Sequence, residues 1–499
     1  MAAAATLAPA GAAQCATTWN PTSGAPGFNG AVNVLANVDL GAGPELYAGG
    51  SFTQVGITPI GRIARLGPGG WESLGAGLNG GNVNAIVGWD DGAGPDLYAG
   101  GTFSVAGSGV ATRVARWNGA TWSPLSLGVN GPVRSMVVWN DGSGEALFVG
   151  GAFTSAGFAI ANRVARWNGA AWSTLSTGTN DTVTALAVYD EGSGPRLFAT
   201  GLFTAAGGQE MSRIARWNGV QWTRLLEGLG GSADSLAVHD DGTGEALYVS
   251  GSFGTAGSIN AGRVARWRAG AWSSVGAGLS NPASTLLTGD LGAGPRLFAA
   301  GAFLNSGGQP LRFVGQWNGA TWSGFAPEVN TTAIALATRI DSGAPALFVG
   351  GLFTSVGGTP VGRVARLGCA KGIEFVPGCG GNTAKLIAGP QSPTPNGATA
   401  FRLVPSTIAP GLGFLFIGPA GGPCGVPLLG LGELLVDLNV NVRIDLGFFA
   451  SEVVVPVTFP NLPALIGTPL RAQAIALGLM PVLPPPVEFS TAIDFVVAP

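Results

Sequence analysis

Carboxylates recur along this chain at nearly regular intervals, each within two residues of a glycine. The set comprises Asp39, Asp90, Asp91, Asp141, Asp190, Glu191, Asp240, Asp241, Asp290 and Asp341. Such oxygens could bind Ca²⁺, but calcium loops place several carboxylates at alternate positions of one loop. Each of the loops in this chain offers only one or two carboxylates. Asp beside Gly is also typical of tight turns, and we favour turn formation over a calcium site.

Arginines recur in pairs that are three residues apart, so the two members of a pair face opposite sides of a strand. The pairs are Arg113/Arg116, Arg163/Arg166, Arg213/Arg216 and Arg263/Arg266. One member of each pair could lie partly buried and pair with a turn carboxylate, or it could bind a ligand. We favour ion pairing. Phe313 and Gln316 interrupt this row.

Histidine and cysteine are too scarce for most catalytic or metal-binding templates. The chain has one histidine, His239, and four cysteines, which excludes His-rich and Cys-rich metal sites. A Ser-His-Asp triad would depend on His239, which precedes the Asp240–Asp241 turn and is expected to end a strand. Hydrolysis by paired carboxylates stays open, because their separation cannot be read from sequence. We predict no metal and no cofactor, and we favour a protein without catalysis.

Composition narrows the class of partner. Of 499 residues, 85 are Gly and 34 are Pro, only 10% are charged, and 46% are hydrophobic. That hydrophobic content allows a large core, and the length suits one repeat array with an added module. The net charge of −3 gives no basic surface for nucleic acid or an anionic membrane. No apolar stretch reaches the length of a membrane-spanning helix.

A repeated motif of the form G-x-F organises most of the chain. Its glycines are Gly50, Gly101, Gly151, Gly201, Gly251, Gly301 and Gly351. The spacing is nearly constant and defines seven repeats. In a complete repeat, four short strand-like runs are separated by loops and by Asp-Gly and Asn-Gly turns, which favour antiparallel hairpins. Four strands in a repeat of this length predict an all-β, seven-bladed β-propeller.

The two ends of the repeat region predict a closed ring. The seventh repeat stops at Cys369 without a fourth strand, and the run Cys15–Trp19 near the start matches that missing strand. We therefore expect the ring to be closed by an N-terminal strand. Cys15 and Cys369 both align with the Asn-Gly turn of other repeats, which predicts a Cys15–Cys369 disulfide, with Cys379–Cys424 as a second bridge. Other pairings of the four cysteines remain open.

The motifs also carry a family resemblance. A hydrophobic strand ending in Gly-Gly, a loop, a third strand and a Trp in the fourth resemble the kelch-type propeller repeat. The runs G-G-x-F-T and R-x-A-R-W-N-G resemble bacterial repeats of the delta-60 sort. The resemblance covers residues 15–370 and implies a propeller. It departs from kelch where Trp117 and its equivalents replace the usual Tyr, and it implies no particular activity.

The chain's ends differ from the repeats in composition. Residues 1–14 form an apolar run with small residues near Ala13, which predicts the remnant of a signal peptide; a frayed Ala-rich terminus is the alternative. All 14 Trp precede Cys369. Residues 375–499 hold apolar runs separated by Pro and Gly, which predict a small β-sandwich. An even number of cysteines favours a secreted or cell-surface protein.

The longer loops of the repeats mark the predicted binding face. In an up-and-down blade, the loops between strands two and three share one face with the linkers between blades, and function usually resides in such variable loops. The candidate residues are Gln54, Phe158, Asn180, Asp181, Gln209, Glu210, Asn260, Glu328 and Asn330. Amides suit a glycan or a peptide backbone, although they could simply serve turn geometry.

These observations predict a monomeric, extracellular, non-enzymatic propeller that binds a protein or glycan partner. The alternative is a polysaccharide hydrolase or lyase that uses the loop carboxylates Asp181, Glu210 and Glu328.

Overall fold

The computed structural model describes residues 17–21, 27–67, 69–341 and 344–369, and seven short strands beyond them. Residues 16–369 form one compact unit. The described residues contain no helix, and hence none that could cross a membrane. The architecture is all-β, as predicted.

Seven four-stranded antiparallel sheets are the blades of a propeller. Blade 1 comprises Val32–Asp39, Pro44–Gly50, Ile63–Gly67 and Gly70–Ser73. Blade 2 comprises Val83–Asp90, Pro95–Gly101, Val114–Trp117 and Trp122–Pro124. Blade 3 comprises Val133–Asn140, Glu145–Gly151, Val164–Trp167 and Trp172–Thr174. Blade 4 comprises Val183–Asp190, Pro195–Gly201, Ile214–Trp217 and Trp222–Arg224. Blade 5 comprises Ala233–Asp240, Glu245–Gly251, Val264–Arg268 and Ala271–Ser274. Blade 6 comprises Ala283–Asp290, Pro295–Gly301, Val314–Trp317 and Trp322–Gly324.

Blade 7 combines both ends of the repeat region. Its first three strands are Ala333–Asp341, Ala344–Gly351 and Val364–Cys369. Its fourth strand is Thr17–Pro21, which pairs antiparallel with the third strand and sets Trp19 opposite Leu367. The first strands of successive blades lie side by side, and that of blade 7 lies beside that of blade 1. The predicted closure by an N-terminal strand is therefore confirmed.

The acidic turns between first and second strands are closed by side-chain hydrogen bonds. In blade 2, Asp90 Oδ1 accepts from the backbone N–H groups of Gly92 and Gly94, both at 2.9 Å. These glycines have φ of 99° and 111°, which side chains disfavour. Asn140 does the same in blade 3. The predicted role as turn former is confirmed.

The second carboxylate of these turns forms the predicted ion pairs. Arg116 lies 2.8 Å from Asp91, and Arg266 Nη1 donates to Asp241 Oδ2 at 2.7 Å. An arginine at this place in the third strand meets the turn carboxylate in five blades; the five are Arg116, Arg166, Arg216, Arg266 and Arg366. In blade 1, where Leu40 stands in the turn, Arg65 is paired with Glu45 and Glu72 instead. In blade 6, Gln316 stands at this place in the third strand, and Leu291 replaces the turn carboxylate. Both partners of the pair are thus replaced together.

Blades pack on one another through large aromatic side chains. The phenylalanine of each G-x-F motif is almost fully buried; the seven are Phe52, Phe103, Phe153, Phe203, Phe253, Phe303 and Phe353. Tryptophans of the third and fourth strands pack in pairs, such as Trp167 and Trp172 with ring centroids 5.2 Å apart. The fourth-strand ring also reaches the preceding blade, because Trp222 Nε1 donates to the Leu175 carbonyl at 3.1 Å.

Beyond Cys369, the chain forms short strands in three separate antiparallel sheets. The strands are Gly372–Ile373, Lys385–Ala388, Phe401–Val404, Val442–Ile444, Val453–Val455, Pro469–Ala472 and Ile493–Val496. The β-sandwich of residues 375–499 stays a prediction, because most of that range lies outside the described residues. The same holds for residues 1–14, the cysteine pairings and the exact domain limits.

The hydrogen bond between blades gives a first prediction. We expect Trp222→Phe to lower the free energy of unfolding by about 1 kcal/mol more than Trp139→Phe does, because it removes a net hydrogen bond. Trp139 is a matched control: it is 7% exposed, and its Nε1 has no partner among the described residues. Urea denaturation of both variants measures this difference, and equal losses would contradict the interaction.

The Asp241 ion pair gives a second prediction. Burial raises the pKa of Asp241, but hydrogen bonds from Thr243 and Tyr248 and the charge of Arg266 outweigh burial and lower it from 3.8 to about 2. The carboxylate therefore stabilises the fold above pH 4, and this contribution is lost as the pH falls to 2. We expect the free energy of unfolding to fall by about 2 kcal/mol more in the wild type than in Asp241→Asn over that interval.

A second variant isolates the ion pair from the turn itself. Arg266→Gln removes a charge that lowers the pKa of Asp241 and leaves the carboxylate in place. Chemical denaturation at a series of pH values should therefore show a smaller loss of stability between pH 4 and pH 2 for this variant than for the wild type. An unchanged pH dependence in Arg266→Gln would show that the ion pair does not contribute to it.

Candidate ligand-binding site

The loops between second and third strands form one face of the propeller together with the linkers between blades. Each loop folds into a hairpin of two-residue strands, and in six of the seven blades the hairpin is bridged to the preceding linker, as Ala156 is to Val129. The hairpins are Gln54–Val55/Thr58–Pro59, Val105–Ala106/Gly109–Val110, Ser155–Ala156/Ala159–Ile160, Ala205–Ala206/Gln209–Glu210, Thr255–Ala256/Ile259–Asn260, Asn305–Ser306/Gln309–Pro310 and Ser355–Val356/Thr359–Pro360. We call this surface the loop face and the opposite one the turn face.

Two of the predicted site residues hold the loop face together. Asn180 Oδ1 accepts from the backbone N–H groups of Thr204 and Ala205 at 2.9 Å, and its Nδ2 donates to Thr204 Oγ1 at 2.9 Å. Asn330 bonds Thr354 and Ser355 in the same way. Their amides are therefore committed to joining linker and hairpin, as the turn-geometry alternative expected.

The other predicted residues lie on the loop face, and all of them are exposed except the half-buried Glu328. Gln54, Phe158, Gln209, Glu210 and Asn260 are on hairpins, while Asp181 and Glu328 are on linkers. Phe158 stands out, because it is 94% exposed. Arg312 Nε lies 3.5 Å from Glu328 Oε1. None of the three loop carboxylates lines the axial cavity described next.

A ring of side chains that the sequence analysis did not single out lies at the propeller axis. The first strand of every blade carries a β-bulge near its start, where pairing with the second strand skips one residue. A bulge leaves its extra residue outside the ladder and can redirect its side chain. The seven bulge residues are Asn33, Asn84, Arg134, Thr184, Asp234, Ser284 and Ile334.

All seven bulge residues line one cavity of about 570 Å³. The linker residue Asn82 also lines it, so the cavity opens at the loop face. We call it the axial cavity. Its bulge positions hold six residue types in seven blades, whereas the surrounding strand positions vary little in character. Alignment of the repeats could have revealed this position as the place where near-identical units differ.

Hydrogen bonds between neighbouring blades fix part of the cavity wall. Asn33 Nδ2 donates to Asn84 Oδ1 at 3.2 Å, and Asn84 Nδ2 donates to the Val133 carbonyl at 3.0 Å. Thr184 Oγ1 donates to the carbonyl of Ala233 in the next blade at 2.5 Å. These bonds orient the polar groups of blades 1, 2 and 4.

The two charged residues of the cavity lack such partners. Neither Asp234 nor Arg134 takes part in a side-chain hydrogen bond or an ion pair with the described residues. Burial raises the pKa of the Asp234 carboxyl. Arg134 is exposed. This contrasts with the turn face, where Asp241 and Arg266 are bonded to each other.

The described residues contain no group of three side chains suited to a metal ion. His239 is buried, which lowers its pKa, and it packs against Tyr248 with centroids 5.6 Å apart. It lies at the end of a first strand, as predicted.

The fold and this site define a seven-bladed β-propeller with a polar cavity on its axis. No family model and no curated protein matches the chain, so the resemblance to kelch and delta-60 repeats stays a prediction.

Several solved structures are similar to the chain. The extracellular domain of a putative hybrid two-component system from B. thetaiotaomicron is 8% identical with a TM-score of 0.44, covering 75% of this chain and 41% of that one. A GH74 xyloglucanase from Xanthomonas campestris is 15% identical with a TM-score of 0.40, covering 75% of this chain and 60% of that one. The chain thus spans less than two thirds of the length of these structures.

The role of the linker asparagines can be tested directly. We expect Asn180→Ala to lower the free energy of unfolding by about 1 kcal/mol, because it breaks hydrogen bonds that join linker and hairpin. Asn260→Ala is the control, since Asn260 is exposed and its side chain forms no hydrogen bond with the described residues. Thermal and urea denaturation measure both. An unchanged stability of Asn180→Ala would instead favour its predicted role in binding.

Proposed function

We propose that this protein is an extracellular, non-enzymatic binding propeller that holds a protein or cell-surface glycan partner at its loop face. One observation carries the proposal: chemical differences between blades gather on this face. The bulge positions hold six residue types, and the hairpin tips range from Phe158 to Gly208. On the turn face, five blades repeat the same pair of a third-strand arginine and a turn carboxylate.

Repetition and variation have different physical consequences. A side chain that recurs in each blade can serve the contacts that every blade makes with its neighbours. A side chain that differs from blade to blade makes the surface of the ring asymmetric. Recognition of an asymmetric partner requires such a surface. Exposed loops on a rigid scaffold commonly carry such recognition.

The arrangement of carboxylates favours binding over hydrolysis. Paired-carboxylate hydrolysis places two carboxyl groups on opposite sides of a substrate bond. Asp234 is the single carboxylate among the described residues that line the axial cavity, and Asp181, Glu210 and Glu328 lie outside it. Several sequence features support an extracellular location: the apolar first residues, the even number of cysteines and the scarcity of lysine.

Capture of a partner tests the proposal. The immobilised full chain is exposed to glycan arrays and to extracellular protein fractions, and a captured partner is then titrated against variants. We expect Phe158→Ser on the loop face to weaken binding at least tenfold. Val220→Ser is the matched control, because Val220 is 79% exposed in a turn between third and fourth strands on the turn face. Equal binding by both variants would contradict the proposed surface.

The alternative enzyme function has its own test. Incubation of the full chain with plant and bacterial polysaccharides, followed by analysis of released sugars, detects hydrolase or lyase activity. We expect no product. Product that disappears in Glu210→Gln, Asp181→Asn or Glu328→Gln would establish the catalytic alternative.

A further inference from the structure

The axial cavity contains two opposite charges that do not neutralise each other. Asp234 is on blade 5 and Arg134 on blade 3, and Thr184 of blade 4 lies between them in the ring of bulge residues. They are the single acid and the single base among the described residues that line the cavity. No ion pair joins them, so both charges remain available to a ligand.

Asp234 has the chemistry that a cationic group requires. It is partly buried and accepts no hydrogen bond from the described residues, and burial of a carboxylate without donors is unfavourable. Burial accordingly raises the pKa of this group, and no nearby cation offsets the effect. A ligand ammonium would supply the missing charge and the missing donors together.

Arg134 has the chemistry that an anionic group requires. In contrast to the third-strand arginines of six blades, its guanidinium has no carboxylate partner among the described residues. A guanidinium offers two parallel N–H donors, which match the two oxygens of a carboxylate. The chain therefore places an unused carboxylate-binding group at the same cavity as an unused ammonium-binding group.

The remaining wall suits a peptide backbone between those ends. Asn33, Asn82 and Asn84 line one side, and amides can both donate and accept, as peptide groups require. Leu186, Leu236 and Leu286 supply apolar surface for short side chains. The described lining residues include no aromatic ring, which disfavours sugars because they commonly stack on such rings. The volume lies within the usual range for ligand pockets.

We propose that the axial cavity binds short peptides in their zwitterionic form, with the ammonium end at Asp234 and the carboxylate end at Arg134. This inference rests on the proposed function, since it specifies what one part of the loop face recognises. Asp234 and Arg134, to which it assigns a ligand class, are not among the binding residues predicted from the sequence.

Oligoglycines test the proposal and measure the distance between the two charges. Isothermal titration of the full chain with peptides of one to five glycines should show binding with a maximum at one length. For that peptide, we expect N-acetylation or C-amidation each to weaken binding at least tenfold. Glucosamine is the competing probe, because it carries an amine and hydroxyl groups without a carboxylate, and we expect it to bind at least tenfold more weakly.

Two variants assign each end of the ligand. Asp234→Asn should bind the free peptide at least tenfold more weakly and should no longer distinguish it from the acetylated form. Arg134→Gln should lose the distinction between the free carboxylate and the amide. Asp290→Asn and Arg296→Gln, on the turn face, are matched controls and should bind like the wild type. Unchanged melting temperatures would show that all four variants remain folded.

The outcomes separate this inference from the proposed function. Absence of peptide binding, equal binding of free and blocked peptides, or binding that both cavity variants leave intact would overturn the peptide site. The peptide site could fail in this way while Phe158→Ser still abolished binding of a captured partner. The loop face would then remain the proposed binding surface, and only the ligand assigned to the axial cavity would be wrong.

Discussion

Each blade of this propeller depends on its neighbours, because a four-stranded sheet with apolar side chains on both faces can bury them only against adjoining sheets. Phe153 and its equivalents lie in the interfaces that result, and Trp172 donates to a carbonyl of the preceding blade. In a ring, every blade has a neighbour on both faces only if the first and the last blade also meet. The strand Thr17–Pro21 completes blade 7 and provides that closure.

This constraint explains where the chain can vary. The phenylalanines of the G-x-F motif, which are buried in the core, are the same in every blade, whereas a bulge residue stands outside the strand ladder. At the start of each first strand, the bulge therefore provides one position per blade whose side chain can change without disturbing the packing. The seven positions converge on the axis because the first strands form the innermost ring. A uniform scaffold thus carries an asymmetric cavity.

Much of the scaffold could be predicted from sequence, because its signals are local and repeated. The G-x-F spacing gave the blade number, and the match of Trp19 to the fourth-strand tryptophans gave the closure. The ion pairs followed from the regular Arg and Asp rows, including their interruption at Gln316. The role of the selected site residues in binding stays a prediction. Asn180 and Asn330 were selected because amides suit ligands, but their contacts with neighbouring hairpins depend on tertiary structure.

The bulge ring was missed for a different physical reason. In the run Val133–Asn140, Arg134 occupies an ordinary place in an alternating strand, and only the pairing with Glu145–Gly151 reveals that the ladder skips it. The same holds for Asp234 between Ala233 and Ser235.

The two charges of the axial cavity are informative because the third-strand arginines of the same scaffold are paired so regularly. Only 10% of the residues are charged, and on the turn face six third-strand arginines meet a carboxylate. A scaffold selected for stability alone would place neutral side chains at the axis, as blades 1, 2, 4, 6 and 7 do. Local departures from such consistency are typical of functional sites, where recognition outweighs stability. Asp234 and Arg134 are departures of this kind, and they face one cavity.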